Sequence, residues 1–206
     1  MAAVDDPRTL GRARLTFADE AEIDRFADML DRFERGEIGP DEWRVFRLAQ
    51  GTYGQRQPSV HMIRAKIPQG VLDGPQLTAL ADVADRFSRG FAHVTTRQNL
   101  QFHFLEPHEV EPAMRLLADA GLTTREACGN SVRNITGCPY AGVAEDEVFD
   151  VTPYGEALTR HLLRHPLSAA LPRKFKIAFE GRAVDHTATG INDLGFRARL
   201  GPQGER

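Results

Sequence analysis

Four short segments set cationic side chains beside apolar ones: Met62-Ile-Arg-Ala-Lys66, Thr95-Thr-Arg-Gln-Asn-Leu-Gln101, Asn130-Ser-Val-Arg-Asn134 and Leu171-Pro-Arg-Lys-Phe-Lys176. Arg64 and Lys66 lie two residues apart, as do Lys174 and Lys176, so on a strand each pair points to one side. Arg97 and Gln101, four apart, would also share a strand face. A face carrying two cations is not an ordinary apolar core. Taken singly, each segment reads as a solvated strand face, the usual place for Lys and Arg. Taken together, with Thr, Asn and Gln donors among them, they describe a pocket for a small multiply charged anion or for carboxylates. Arginine supplies a planar fork for oxyanions, and lysine a point charge that can also give up a proton.

Other reactive groups are few. The two cysteines, Cys128 and Cys138, cannot build a disulfide framework. Their Cys-x9-Cys spacing lacks the close pairs and further ligands of a zinc signature, so they read as small core thiols. His93 and His103 flank a central strand pair and read as satisfied or surface histidines. His161 and His165 are i,i+4 on a helix with no obvious acidic partner. The sequence has no nucleophile elbow, no glycine-rich dinucleotide fingerprint and no P-loop, so phosphate-cradling nucleotide chemistry is unsupported.

The elements that must hold these groups follow from pattern and punctuation. Ile23, Phe26, Ala27, Leu30 and Phe33 fall on one helical face, stopped by Gly36 and Gly39-Pro40. A short second helix runs through Trp43 and Phe46, and Gly51 to Gly54 reads as a turn-rich link. Val60–Ile67 is strand-like, followed by a helix with Leu77, Leu80, Ala84 and Phe87 inward and Gly90 after its end. Strands over Phe91–Thr95 and Asn99–Leu105 precede a helix opened by Pro107 and stopped by Gly121. Strand–helix–strand–strand–helix is most of a ferredoxin-like split βαβ unit, so the fold class is α+β. Residues 127–143 are irregular and too long for a plain connector. A helix over Thr152–His165 is expected next, its stripe formed by Leu158, His161, Leu162 and His165. Strands follow over Lys174–Phe179 and Ile191–Leu200. Three regions result: a helical lead-in over 1–50, whose first 18 residues are loose, the ferredoxin-like half-domain over 51–125, and a further basic region over 126–206.

With 206 residues, the chain is long enough to bury a core. Its 26 Lys+Arg against 29 Asp+Glu give a net charge of −3, which excludes a general nucleic-acid coat but not a local basic pocket. No apolar run approaches the roughly 18 residues that cross a bilayer. The start MAAVDDPRTLGRARL has no apolar signal core, and with so few thiols the expected compartment is the cytoplasm.

The four basic segments, in this order, resemble the N-terminal half of the sirohaem-dependent nitrite and sulfite reductases. HMIRAKIPQG is similar to the first basic strand of that family and TTRQNLQFH to its central stretch. GNSVRNITGCP resembles its Asn-x-x-Arg-Asn segment, and LPRKFK the basic strand that opens the next unit. The resemblance runs from about Arg44 to Phe196. It implies a ferredoxin-like half-domain followed by the start of the sirohaem/4Fe–4S central domain, and six-electron reduction of sulfite to sulfide or of nitrite to ammonia. It implies that Arg64, Arg133, Lys174 and Lys176 ring the substrate anion, and that Thr95, Arg97, Gln101 and Arg133 hold the macrocycle's carboxylates. His93 stands where some relatives carry another arginine. Lys176 resembles the sulfite-reducing members. The implied cofactors are sirohaem and a 4Fe–4S cluster. In the family, that cluster's cysteines belong to Cys-x5-Cys and Cys-x3-Cys pairs of the C-terminal half, which these 206 residues do not contain. The implied partners are sulfite or nitrite, a ferredoxin or flavoprotein electron donor, and the missing C-terminal half. Metal ligands are not expected within these residues.

The physics agrees with this reading: a ring studded with carboxylates needs clustered Arg and Lys, and cations beside a bound oxyanion offset its charge as its oxygens leave. A non-catalytic anion- or tetrapyrrole-binding module is the alternative. A single-strand nucleic-acid binder fits least, because Phe102 sits in an apolar alternation and the net charge is acidic.

Overall fold

The computed structural model describes residues 16–57 and 59–205. The loose lead-in expected over residues 1–18 lies, up to residue 15, outside the described residues. Helix α1 (Glu20–Glu34) starts where the Asp19 carboxylate accepts the Ala21 N–H, and it buries Ile23, Phe26, Met29 and Leu30. Helix α2 (Pro40–Ala49) begins with proline at its first position. Trp43 stacks on Phe33 and packs against Phe26 and Phe46, which closes the two helices over one aromatic cluster.

The first sheet is antiparallel, with strand order β1-β2-β4-β3. Its strands are β1 (Thr52–Gly54), β2 (His61–Ala65), β3 (His93–Val94) and β4 (Leu100–Leu105). Helix α3 (Gly74–Phe87) crosses from β2 to β3, and its start carries a capping box in which Asp73 and Gln76 satisfy each other's backbone N–H. Helix α4 (Pro107–Asp119) follows β4. This is the ferredoxin-like half-unit expected from the pattern. Beyond α4, Thr123 makes an antiparallel bridge to Lys66, a remnant of the strand that would complete a full split βαβ unit. Strand β1 is an addition: Thr52-Tyr-Gly54, read as a turn because of its flanking glycines, pairs with the edge of β2.

The second sheet is parallel, with order β5-β6-β7: Thr136–Gly137, Ile177–Glu180 and Leu194–Arg197. Helix α5 (Thr152–Leu162) provides the crossover from β5 to β6. All four residues of β6 are buried, as a central parallel strand requires. The buried stripe of α5 is Thr152, Gly155 and Thr159, with Leu158 and Leu162 packed beside it, whereas His161 is exposed. The stripe is rotated from the expected one because Gln69 occupies the space over Gly155. A Cβ there would lie 2.5 Å from the Gln69 side chain.

Polar side chains of each unit grip the backbone of the other. Gln69 donates from Nε2 to the Thr152 carbonyl at 2.8 Å. Gln98 bonds Gly137 reciprocally, donating to its carbonyl at 2.8 Å and accepting its N–H at 3.0 Å. Asn134 donates to the carbonyls of Ile67 and Arg97. Two apolar clusters, one under each sheet, are thereby joined through a polar seam.

Candidate functional site

The seam is where the four basic segments meet. Arg64, near the end of β2, reaches across the strand pair to the loop after α4 and donates to the Ala127 carbonyl at 3.0 Å. Its cross-strand neighbour is Gln101, whose amide oxygen, turned toward it, accepts from the guanidinium. Arg133 donates to the same Ala127 carbonyl at 2.6 Å and to the Gly129 carbonyl at 3.3 Å. Two guanidinium groups thus converge on one carbonyl. Burial, and then the charge of Arg64, lowers the pKa of Arg133.

Cys128 sits at the centre of this convergence. Its thiol is buried, which pushes its pKa up to about 11, against the pull of the positive charges of Arg64, Arg133, Lys174 and Arg47. Lys174, exposed at the start of the basic strand segment, therefore lies in the same electrostatic neighbourhood as Arg64 and Arg133.

Arg97 and Lys176 line a second, adjoining space. An open depression of roughly 470 Å³ is bounded by Thr96, Arg97, Gln98, Gly137, Lys176 and the 186–192 loop. Arg97 donates to the carbonyls of Asn134 (2.6 Å) and Ile177 (3.0 Å) and to Asn192 Oδ1 (3.0 Å). Its pKa is drawn down to about 10, chiefly by burial and then by the charge of Arg133. Thr95 spends its hydroxyl locally, accepting the N–H groups of Arg97 and Asn99 and so setting the tight turn between β3 and β4.

The paired cations do not all share one fate. Lys66 faces the same side as Arg64, as its position two residues on requires, but it is only 4% exposed and its ammonium lies 3.9 Å from Glu126 Oε2. His93 and His103 touch, Nδ1 to Nε2, at 3.0 Å on the outer face of the sheet.

The side-chain nitrogens of Arg64, Arg97, Arg133, Lys174 and Lys176 form no ion pair within 4.0 Å among the described residues, although the Lys176 backbone N–H donates to Asp193 at 2.7 Å and the charge of that carboxylate acts on Arg97. The Nε atoms of Arg97 and Arg133 are buried without a hydrogen-bond partner. A converging, unneutralised set of this kind can hold an oxyanion or several carboxylates. Gln69, Gln98 and Asn134 position the basic segments, a role visible only in the fold. Gln98 and Asn134 lie inside the basic segments and share their run of polar donors, but the backbone partners of all three belong to distant segments that no local pattern points to.

Comparison with known proteins places the chain among one family of reductases. Residues 53–120 match a family model described as the nitrite/sulfite reductase ferredoxin-like half domain, and residues 128–206 match the nitrite and sulphite reductase 4Fe-4S domain. A protein called sulfite reductase [ferredoxin] from Mycobacterium tuberculosis is 38% identical over 135 residues, covering 66% of this chain and 24% of that protein. The assimilatory ferredoxin-dependent nitrite reductase of Haloferax mediterranei is 33% identical over 178 residues, covering 80% of this chain and 30% of its own length. Among solved structures, Mycobacterium tuberculosis NirA superposes with a TM-score of 0.75 at 31% identity, over 96% of this chain and 40% of that one. A dissimilatory sulfite reductase I structure shares the fold, with a TM-score of 0.54 at 20% identity, over 84% of this chain and 44% of that one. The chain spans about a quarter of the length of the sulfite reductase it matches.

Proposed function

The chain belongs to the nitrite/sulfite reductase family, and from that membership we propose that it forms the anion- and sirohaem-facing part of a reductase that carries sulfite to sulfide. Nitrite, reduced to ammonia, is the second substrate on this reading, since relatives of both names match. The observation that carries the proposal is the gathering of Arg64, Arg133 and Lys174 around Cys128 beside the depression lined by Arg97 and Lys176, with no side-chain ion pair among these five in the described residues and with two buried, unpartnered Nε atoms. The residues present therefore fit a ring bearing many carboxylates.

Bound there, sirohaem would supply the iron and the electrons for the reduction, fed through a 4Fe–4S cluster whose cysteine ligands are not among these residues. The chain's own groups do the rest. Arg64, Arg133, Lys174 and Lys176 offset the charge of the substrate anion. Lys174 and Lys176 carry ammonium groups suited to donate hydrogen bonds, and a proton, to oxygens that leave as water. Arg97, Gln101 and Arg133, with Thr95 shaping the turn beneath them, face the macrocycle's carboxylates. Ferredoxin is the proposed electron donor, as the names of the relatives suggest. No helix among the described residues is long and apolar enough to cross a membrane.

The test is expression of the chain with a sirohaem supply. Pigment that co-purifies, and is lost in a Lys174→Ala/Lys176→Ala double variant, is the expected result. Sulfite reduction is expected only after the chain is joined to a cysteine-bearing cluster segment. A chain that stays colourless with abundant sirohaem contradicts the proposal.

A further inference from the structure

A second constellation lies at the far rim of the depression, where the parallel sheet ends. Cys138 follows β5, Glu180 is the last residue of β6, and His186 stands in the loop that leads toward β7. One ligand atom from each lies within 4.8 Å of the other two. The Cys138 sulfur is 3.9 Å from His186 Nδ1, and that nitrogen is 3.6 Å from Glu180 Oε2. Pairing of β5 with β6 brings the first two together, and the return of the loop brings the third.

The state of Glu180 is the informative detail. Its side chain is fully buried, and its only charged partner among the described residues is His186, and then only when that ring is protonated. Its oxygens accept backbone N–H groups instead: Arg182 at 3.1 Å, His186 at 2.6 Å and Thr187 at 3.3 Å. These bonds fix the carboxylate and the loop around it, which is how ligating carboxylates are commonly held in place. A buried carboxylate, a thiol and an imidazole nitrogen meeting at one point form the mixed ligand set that suits a divalent cation of the zinc class. Metal–ligand bonds of about 2.0–2.3 Å in a tetrahedron place neighbouring ligand atoms roughly 3.3–3.8 Å apart. The two separations at His186 Nδ1, 3.9 Å and 3.6 Å, need a few tenths of an ångström of closure, and the Cys138–Glu180 separation, within 4.8 Å, closes by about an ångström at most.

Two features oppose a cation, and both have an answer in the structure. The Arg182 guanidinium lies 3.3 Å from His186 Nε2, but it is already paired with Asp146 at 2.6 Å. That contact assigns the ring proton to Nδ1 in the metal-free protein, so ligation requires the proton to move to Nε2 and the Arg182 contact to open. The Tyr140 ring packs edge-on against His186 at 5.5 Å and limits the orientations of the imidazole.

We infer that Cys138, Glu180 and His186 form a binding site for one divalent cation of the zinc class, with solvent as the fourth donor. The site ties the 182–189 loop, and with it one wall of the depression, to the end of the parallel sheet. It stands independently of the tetrapyrrole reading, because none of its ligands belongs to the cation set.

The experiment uses the 206-residue chain, stripped with a chelator and titrated with Co²⁺ as the probe. The expected result is one equivalent bound, with tetrahedral ligand-field bands and a thiolate-to-cobalt absorption, both displaced by Zn²⁺. Cys138→Ser should abolish the thiolate band. His186→Ala, a change at an exposed position, should weaken binding at least about tenfold with the circular dichroism unchanged. Cys128→Ser should keep the band, and since the chain has only two cysteines the assignment is then unambiguous. The inference is overturned if no thiolate band forms, if it survives Cys138→Ser, or if binding is lost in His161→Ala and not in His186→Ala.

Discussion

Two sets of cations in this molecule have opposite surroundings. Beneath the N-terminal helices, arginines are neutralised: Arg115 meets Glu20, Asp24 and Glu111, Arg164 meets Asp19 and Glu22, and Arg125 meets Glu22 and Glu126. Along the seam between the two sheets, the side chains of Arg64, Arg97, Arg133, Lys174 and Lys176 form no ion pair among the described residues, and the nearby Asp193 accepts the Lys176 backbone N–H instead. The chain is not short of acid, since Asp and Glu outnumber Lys and Arg by 29 to 26. The seam is left positive although acidic residues are plentiful, and mutual repulsion there is tolerated. Ion pairs of the first kind tie helices together, whereas a gathering of the second kind gains energy only when an anion arrives.

The comparison can be broken or sharpened by substitution. The largest effect belongs to Glu126, fully buried between the two sets. It accepts the Arg164 N–H at 3.0 Å and lies 3.9 Å from Lys66 and 3.7 Å from Arg125. Glu126→Ala leaves Lys66 buried without a counter-charge and should cost about 3 kcal/mol in urea unfolding. A loss below about 1 kcal/mol would mean that the pair has little structural weight.

Next is a pH effect at Lys66, whose pKa burial lowers to about 8 from an ordinary 10.5, against the opposing pull of Glu126. Between those two values the unfolded chain binds more protons than the folded one, so this group makes stability rise with pH across that window. Lys66→Met should flatten the slope, read from denaturation midpoints at several pH values.

Smaller again is Arg115→Ala, expected to cost about 0.5–1 kcal/mol at low salt and less at high salt, because its partners are largely exposed. Anion binding should not change. Lys174→Ala is the mirror case. Its side chain is exposed and unpaired, so stability should stay within about 0.5 kcal/mol while anion affinity falls. Arg133 is a poorer probe of function alone, since it is only 6% exposed and its removal takes away the side-chain donor to the Gly129 carbonyl and leaves the Ala127 carbonyl to Arg64 alone.

The fold was legible where local signals agree. The stripe of Leu77, Leu80, Ala84 and Phe87 closed by Gly90, the proline that opens α4, and the strand-like runs through Ile63 and Phe102 were enough to find β2, α3, β4 and α4. Strands β1 and β5 are two or three residues long and carry glycine, so they exist through their partners rather than through propensity. Strands were expected where β6 and β7 stand, but the parallel arrangement of β5, β6 and β7 was not legible, because strand direction is set by pairing between segments far apart in the chain. In the candidate site, residue types and strand side were readable, including the shared side of Arg64 and Lys66. The diversion of Lys66 to Glu126, 60 residues away, was not. Neither was the meeting of Cys138 with Glu180 and His186, which depends on strand pairing.

One titration decides whether the seam is an anion cradle. An iron-free porphyrin bearing carboxylates around its rim is added to the chain, and its absorbance is followed for the native protein, Arg115→Ala, and the Lys174→Ala/Lys176→Ala double variant. Saturable binding that weakens with salt, is unchanged in the first variant and falls at least about tenfold in the second is the expected pattern. Equal losses in both variants, or no saturable binding by the native chain, would show that the unpaired cations hold no such ligand.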